Sequence, residues 1–253
     1  MTTRHGGVSE APWSSLNLGD HVGDKPDNVK TNRALVAHEM QVPAIYLRQV
    51  HGVHGVAINL QTPANTEADV AWTRQEGLAC TMMVADCLPI LICHPTQKWV
   101  AAAHAGWRGL AGENGHGVVE TLASTVRLEG FAPEDCLAWL GPCIGPTAFE
   151  VGPEVLDAFE NDPPAASSKA FFAQTPVPVS SSASEGKYMA DLAGLARHRL
   201  RQAGFQNLYG NDSTLPWCTF RQADKYHSHR RDAALLGSAG RMAAYIWITP
   251  FTS

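Results

Sequence analysis

Short, almost continuous apolar runs occupy the middle of the chain. Leu78 to Val84, Pro89 to Cys93 and Trp99 to His104 have the length and composition of buried strands. Weaker runs predict further strands at Ala44 to Gln49, Leu137 to Leu140, Leu208 to Tyr209 and Ala243 to Ile248. The chain is therefore expected to contain a sheet with buried central strands.

Three helices are predicted around these strands. Glu113 to Leu128 gathers its valines on one face, and Pro153 to Phe159 begins with a proline, which is favoured in a first helical turn. Asp191 to Ala203 is followed by Gly204, a frequent helix stop. Because strands cluster in the middle instead of alternating with helices, the pattern favours a layered α+β fold with a mixed central sheet over a doubly wound fold.

One stretch, Asn161 to Ser184, is rich in Pro, Ala and Ser and is interpreted as a long surface excursion. Nothing else divides the chain, so a single domain over residues 1–253 is predicted.

The composition argues against several classes of protein. Hydrophobic residues make up 45% and charged residues 17% of the 253 positions, against about 25% charged in a typical soluble domain, which argues against disorder. The net charge is −5 and the 19 Lys and Arg form no basic run, so nucleic-acid binding is not expected. The most apolar stretch, Leu78 to Cys93, is broken by Asp86 and is too short for a membrane span of about 20 residues.

Residues 1–8 lack the apolar region of a signal peptide. Six cysteines in a chain of this length do not suggest a disulfide scaffold. A cytoplasmic protein with reduced thiols is therefore expected.

Three segments carry His or Cys where a predicted strand gives way to a loop. They are Gln49-Val50-His51-Gly52, Ala85-Asp86-Cys87-Leu88-Pro89 and His104-Ala105-Gly106-Trp107-Arg108-Gly109. His51, Cys87 and His104 form a candidate metal set that leaves a fourth position open, as catalytic zinc sites do. From spacing alone, the favoured interpretation is instead a core cysteine with two loop histidines bonded to the backbone.

Arginines near these segments are candidates for holding phosphate, which a guanidinium can bind through two hydrogen bonds. Arg108 is the first choice because it follows the last motif histidine by four residues. Its alternative role is a salt bridge to Asp86 or Asp69. Arg33 and Arg231 are weaker phosphate candidates.

Further residues have candidate roles in catalysis or substrate binding. Asp86 is expected to point away from a metal held by its neighbour if the strand is regular. Alternatively it orients a ligand histidine, and it joins Arg108 and Arg33 as a catalytic candidate. Stacking on a purine base is a role for Trp107, Phe149 and Tyr226, each of which is otherwise a core residue.

Taken together, the motifs resemble a bacterial family first described as multicopper polyphenol oxidases, or laccase-domain proteins, and now as purine nucleoside phosphorylases with adenosine deaminase activity. Besides the three segments above, the matching segments include Arg4-x-Gly6-Gly7-Val8-Ser9, Ser15-Leu16-Asn17-Leu18, Asn32-Arg33, Gly141-Pro142-Cys143-Ile144-Gly145-Pro146, Phe149-Glu150-Val151-Gly152, Arg230-Arg231-Asp232 and Gly240-Arg241. The matches span nearly the whole chain.

The resemblance implies a zinc ion held by His51, Cys87 and His104, with copper as another occupant because copper binds N/S sites more tightly. It implies purine nucleosides and phosphate as substrates, with phosphorolysis of adenosine, inosine and methylthioadenosine and deamination of adenosine. Asp69 and Glu67 are guesses for the general acid or base. The preferred nucleoside and the oligomeric state stay open.

The resemblance also implies a fold like that of cysteine-dependent toxin deamidases. It therefore gives an alternative function, a cysteine hydrolase that uses Cys87 and His104 and edits peptidoglycan precursors. An inert structural zinc module is disfavoured by the open fourth position.

Multicopper oxidase chemistry is not expected, because the chain has a single His-x-His pair, His227 and His229, which cannot fill a trinuclear cluster. Those two histidines are interpreted as rim or hydrogen-bonded residues. Cys93 and His94 depart from the family pattern, and as neighbours on a strand they point to opposite faces and do not predict a second metal site. Cys143 is interpreted as structural or pocket-lining.

Overall fold

The computed structural model describes residues 1–160, 165–174 and 186–249. In chain order the strands are β1 (Ala44–Ile45), β2 (Gly55–Ala57), β3 (Val70–Thr73), β4 (Ala79–Val84), β5 (Leu88–Cys93), β6 (Val100–Ala105), β7 (Leu137–Leu140), β8 (Glu150–Val151), β9 (Phe172–Gln174), β10 (Tyr188–Ala190), β11 (Asn207–Gly210) and β12 (Met242–Ile246). The α-helices are α1 (Pro26–Met40), α2 (Trp107–Ala111), α3 (Val118–Leu128), α4 (Pro153–Glu160), α5 (Leu192–Gln202) and α6 (Ala234–Leu236). A π-helix, His229–Ala233, precedes α6.

Two mixed sheets form the centre of the fold. Six strands pair in the order β11-β7-β5-β6-β3-β2, with parallel pairs at both edges and antiparallel pairs between them. The second sheet, β1-β4-β12, packs on one face of the first, while α3 and α5 cover the other. A small antiparallel sheet, β8-β10-β9, completes the set. The predicted α+β fold with a mixed central sheet is confirmed.

Burial on both faces explains the apolar runs. On β5, Leu88, Ile90 and Ile92 pack towards α3 and α5, whereas Leu91 packs between the two sheets. Side chains alternate between the faces of a strand, so a strand covered on both sides needs apolar residues at every position. β4 meets the same condition, since Met82 faces the six-stranded sheet and Met83 faces α1.

The first helix, α1, was not predicted. It lies on the outer face of the three-stranded sheet and buries only Val29, Asn32 and Val36. Asn32 holds the N-terminal segment, accepting a hydrogen bond from the Val8 backbone and donating to the Asn17 carbonyl. A helix anchored by a buried amide shows too few apolar residues for the pattern to reveal it.

Two predicted boundaries are wrong. The helix expected from Glu113 begins only at Val118, because Gly112 and Gly115 adopt positive φ and open a loop between α2 and α3. The strand expected over Ala44 to Gln49 ends at Ile45, after which the chain makes a bridge between Arg48 and Glu67.

In the predicted excursion, residues 165–174 form a 3₁₀ turn and β9. Residues 161–164 and 175–184 lie outside the described residues. Within the described part of the chain, no helix is long and apolar enough to cross a membrane.

Candidate metal centre and substrate cleft

Three loops and strand ends bring the candidate ligands together. Cys87 lies in the turn between β4 and β5, His104 lies on β6 opposite Pro89, and His51 lies in the loop before β2. Their ligand atoms all lie within 4.8 Å of one another, and 3.6 Å separates Cys87 Sγ from His51 Nε2. A thiolate and two imidazoles are a donor set that zinc and copper both accept. The cluster could therefore hold a metal ion.

A buried carboxylate stands behind the cluster. Asp69 is fully buried, and its Oδ1 accepts a hydrogen bond of 2.8 Å from His104 Nδ1. It also accepts the backbone N–H groups of Val50, His51 and Gly52 at 2.8 to 3.1 Å. A proton held on Nδ1 leaves His104 Nε2 free as a ligand. Asp69 thus orients one ligand histidine and fixes the loop that carries the other.

Two residues of this site have an unusual backbone conformation. His51 has φ 61° and Asp86 has φ 89°, both in the left-handed region that non-glycine residues seldom occupy. Such conformations persist where surrounding contacts hold them, and they concentrate at functional sites. Here the Asp69 carboxylate holds the loop of His51.

Because Gly106 has no side chain, it leaves room for the side chains of the cluster. A Cβ at this position would lie 2.7 Å from His51 Cδ2 and 3.0 Å from Cys87 Sγ. Any other residue would therefore displace two of the three candidate ligands. The glycine of the third motif is required by the cluster itself.

The cluster also shifts the ionisation of its members. Burial opposes the charged forms of Cys87 and His104, but their mutual attraction outweighs it, lowering the pKa of the thiol and raising that of the imidazole. The Asp69 hydrogen bond raises the pKa of His104 further. A thiolate is the form of cysteine that binds metals and acts as a nucleophile.

The cluster opens into a cleft of about 320 Å³. Its lining residues are His21, Gln49, His51, Met83, Val84, Ala85, Cys87, His104, Arg108, His229 and Arg241. Gln49 braces one side through two 2.8 Å hydrogen bonds to the Met83 backbone. An adjoining cavity shares His51 and Arg108 and extends along Trp107 to His116.

Arg108 lies in the cleft, as its proposed role requires. It sits on the short helix α2, and its guanidinium is exposed over the Trp107 ring, 4.3 Å from the centroid. The alternative salt bridge to Asp86 or Asp69 is not formed. Among the described residues Arg108 has no carboxylate partner, so its charge is available to a ligand.

The other two candidate arginines are already occupied. Arg33 donates to the Leu18 carbonyl at 2.9 Å and stacks on Tyr46. Arg231 forms an ion pair with Asp232 at 2.7 Å and donates to three backbone carbonyls. Neither lines the cleft. Both hold the fold together around it.

The hydrogen bonds of Asp86 go to residues other than the ligand histidines. Its oxygens accept hydrogen bonds from Thr219, Ser228 and the Arg230 backbone at 2.6 to 3.0 Å. It therefore ties the segment before the π-helix to the turn that carries Cys87. The orienting role expected of Asp86 is filled by Asp69. Glu67, the other guess for an acid or base, is exposed and pairs with Arg48.

Of the three aromatic candidates, one borders a cavity and two lie in the core. Trp107 borders the cleft's adjoining cavity, whereas Phe149 and Tyr226 are buried core residues. Phe149 packs in the main core and Tyr226 beside Val84 and Met242.

The remaining histidine and cysteine candidates are placed as follows. His94 Nδ1 accepts from the backbone of a turn, and Cys93 ends β5. His229 reaches the cleft, while His227 is fully buried and has no hydrogen-bond partner within the described residues. Cys143 is buried, and all six cysteines are free thiols.

A family model described as multi-copper polyphenol oxidoreductase laccase matches residues 1–249. The chain belongs to this laccase-type family. Within the described part of the chain, one group of three or more metal-ligating side chains converges. It consists of His51, Cys87 and His104.

Relatives within the laccase-type family carry another name. Purine nucleoside phosphorylase PA4543 of Pseudomonas aeruginosa is 42% identical, with 98% of this chain and 92% of that protein covered. Purine nucleoside phosphorylase YfiH of Escherichia coli is 41% identical over the same shares. The crystal structure of Neisseria meningitidis protein NMB0706 has a TM-score of 0.84 at 39% identity, covering 99% of this chain and 93% of that one.

Proposed function

We propose that this chain is a zinc-dependent purine nucleoside phosphorylase that takes adenosine, inosine and methylthioadenosine and also deaminates adenosine. The observation that carries the proposal is a cation-binding cluster and the exposed cation Arg108 in one cleft. The names of the relatives at 41% and 42% identity support the reaction class.

The cluster supplies the site for the metal. His51, Cys87 and His104 would hold zinc, with copper as a competing occupant. Zinc, when bound, supplies a Lewis acid that polarises an oxygen. Asp69 keeps the proton on His104 Nδ1, and Gly106 keeps the volume between the ligands clear.

Arg108 supplies the charge that phosphorolysis needs. In that reaction a phosphate oxygen bonds to the anomeric carbon of the ribose while the bond from that carbon to the purine nitrogen breaks. The electron pair of the broken bond leaves with the base, which takes up a proton. Arg108 orients the phosphate dianion, and Trp107 offers an aromatic face beside it.

Product analysis tests the proposal. Zinc-loaded protein is incubated with inosine or adenosine, with and without phosphate. We expect free base and ribose 1-phosphate only when phosphate is present, and inosine and ammonia from adenosine without it. Absence of base release from either nucleoside, with phosphate and zinc both present, would refute phosphorolysis.

A cysteine hydrolase is the second candidate, favoured by the order Asp69–His104–Cys87. A carboxylate that orients an imidazole beside a thiol is the arrangement of a nucleophilic cysteine. Such an enzyme, with the toxin-deamidase type of fold and peptidoglycan precursors as substrates, would keep its activity after chelation and lose it to iodoacetamide. The zinc enzyme would lose activity on chelation and regain it with zinc.

A further inference from the structure

The cleft carries two permanent positive charges, and the Cys87 thiolate is the lining group that offsets part of them. Arg108 and Arg241 contribute permanent charges, and His21 and His229 lie beside them. No Asp or Glu is among the lining residues, all of which belong to the described part of the chain. Three carboxylates adjoin the cleft without lining it. Asp69 bonds to His104, Asp86 bonds to Thr219 and Ser228, and Asp20 lies 3.5 Å from His21 and 3.4 Å from Arg33. A cavity of this make-up attracts an anion.

Arg241 has unused hydrogen-bonding capacity in this cavity. Its Nη1 donates to the Ala239 carbonyl at 2.9 Å and lies 3.5 Å from that of Gly240. Within the described residues, Nε and Nη2 have no acceptor and the guanidinium has no ion-pair partner. Arg241 is nonetheless half-buried. Placing an unpaired cation there costs stability, which a bound anion would recover.

The N-terminal segment is shaped around this arginine. The fully buried Asn17 accepts the backbone N–H of Arg241 at 2.8 Å and that of Gly19 at 3.0 Å. Leu18 donates its backbone N–H to the Arg241 carbonyl. A Cβ on Gly19 would lie 2.7 Å from Arg241 Cγ. The turn over residues 17–19 therefore fixes where the arginine stem leaves the backbone.

Arg241 and Arg108 reach the cleft from different layers. Arg241 directly precedes β12 of the three-stranded sheet, while Arg108 follows β6 of the six-stranded sheet. Two guanidinium groups on separate elements can hold one tetrahedral oxyanion in a fixed orientation. Arg33 and Arg231 do not line the cleft. Arg33 is engaged by the Leu18 carbonyl and Asp20, and Arg231 by Asp232 and three backbone carbonyls.

We propose that Arg241 is the second phosphate-binding residue of the cleft and acts together with Arg108. The choice of phosphate as the anion rests on the proposed function. Arg241 contacts the phosphate through Nε and Nη2, and its role is to bind and orient the attacking oxyanion next to the His51–Cys87–His104 cluster.

Arg241→Met tests this role because it removes the guanidinium and keeps most of the stem. Inorganic phosphate is titrated into the zinc-loaded protein by calorimetry, and the KM for phosphate and for inosine is measured on the same samples. Loss of charge-assisted hydrogen bonds should weaken phosphate binding and raise its KM by about tenfold or more, with the KM for inosine changing less than about twofold. The KM for phosphate of Arg241→Lys should lie between those of the wild type and Arg241→Met.

Arg201→Met is the matched control. Arg201 is exposed on α5 and is not among the cleft residues, so its loss removes the same charge without touching the site. Zinc content and melting temperature verify that each variant is folded. If Arg241→Met does not fold, Arg241→Gln and Arg241→Lys provide the comparison.

The outcomes separate this proposal from the proposed function. Equal phosphate affinity in wild type and folded Arg241 variants overturns it, as does a wild-type protein that binds no phosphate at millimolar concentration. Phosphorolysis with an unchanged KM for phosphate in Arg241→Met leaves the function standing and removes this residue from it. Phosphate binding that depends on Arg241 in a protein without phosphorolysis keeps the residue's role and refutes the function.

Discussion

The ligand cluster and the Arg241 turn border one cleft but are built in opposite ways. Behind His104 stands the buried carboxylate of Asp69, which bonds to the His104 ring and to the backbone of the His51 loop. Around Arg241 the polar contacts come from neutral groups, the amide of Asn17 and a backbone carbonyl. We propose that a cation binds in the first region and an anion in the second. Each of the following variants removes one part of that contrast.

The largest effect is expected from Cys87→Ser. A hydroxyl is a far poorer zinc ligand than a thiolate, so bound zinc should be lost and phosphorolysis should fall by about 10³-fold. Metal content by mass spectrometry and initial rates measure both. Cys93→Ser, a half-buried cysteine at the end of β5, should keep its zinc. Wild-type zinc content in Cys87→Ser would remove the cysteine from the cluster.

Arg108→Ala should affect the two reactions unequally. Phosphorolysis should fall by roughly 10²-fold, as when a group that stabilises charge is removed, while deamination, which needs no phosphate, should change little. The ratio of the two rates is the readout, with Arg201→Ala as the control. If both rates drop together, Arg108 has a structural role. It is then not part of the proposed anion site.

Asp69→Asn tests the carboxylate behind the cluster. Partners that orient a metal-bound histidine typically contribute 10- to 100-fold to metal affinity, so zinc affinity should fall by about that factor. Competition with a chromogenic chelator measures the affinity. Glu67→Gln removes an exposed carboxylate two residues away and should leave it unchanged. Unaltered zinc affinity in Asp69→Asn would mean that the loop backbone alone positions the ligands.

The smallest effect concerns the support beneath Arg241. The His227 ring packs on Gly240, where an added Cβ would lie 2.6 Å from its Cε1, and burial, followed by the charge of Arg4, lowers the pKa of His227 to about 3. Below the unfolded value near 6.5 the unfolded chain binds a proton that the folded chain does not. Stability should therefore fall as pH drops from 6.5 towards 3, by about 1.4 kcal/mol per pH unit, and be constant above 6.5.

Urea unfolding of wild type and His227→Phe at pH 7.5 and 5.5 measures this dependence. Titrations elsewhere appear in both proteins, so the difference between their unfolding free energies isolates His227. That difference should shift by about 1.4 kcal/mol in favour of the variant at the lower pH. A pH-independent difference would show that the pKa of His227 is the same in the folded and the unfolded protein.

The central strands and the ligand cluster could be predicted from the sequence, for different reasons. β5 and β6 are buried on both faces, which leaves an unmistakable apolar run. His51, Cys87 and His104 lie too far apart in the chain for spacing to join them, and the family resemblance supplied the connection. The structure then brought their ligand atoms within 4.8 Å.

The supports of the site could not be predicted in this way. Asp69 and Arg241 act through contacts between segments 35 or more residues apart, with His104 and with Asn17. The sequence offered Asp69 as a guess for the general acid or base and Gly240-Arg241 as a matching segment, but neither indicated these contacts. The signal closest to hand was Asn17 in the motif Ser15-Leu16-Asn17-Leu18, since an amide in an otherwise apolar segment indicates a buried polar contact.

The most direct test of the account is a zinc titration of metal-free protein, followed at each step by the rate of phosphate-dependent base release from inosine. The account predicts a rate that rises in proportion to added zinc and levels off at about one equivalent per chain, as expected if the His51–Cys87–His104 cluster holds one ion. Full activity in the metal-free protein, or no activity at any zinc content, would contradict it.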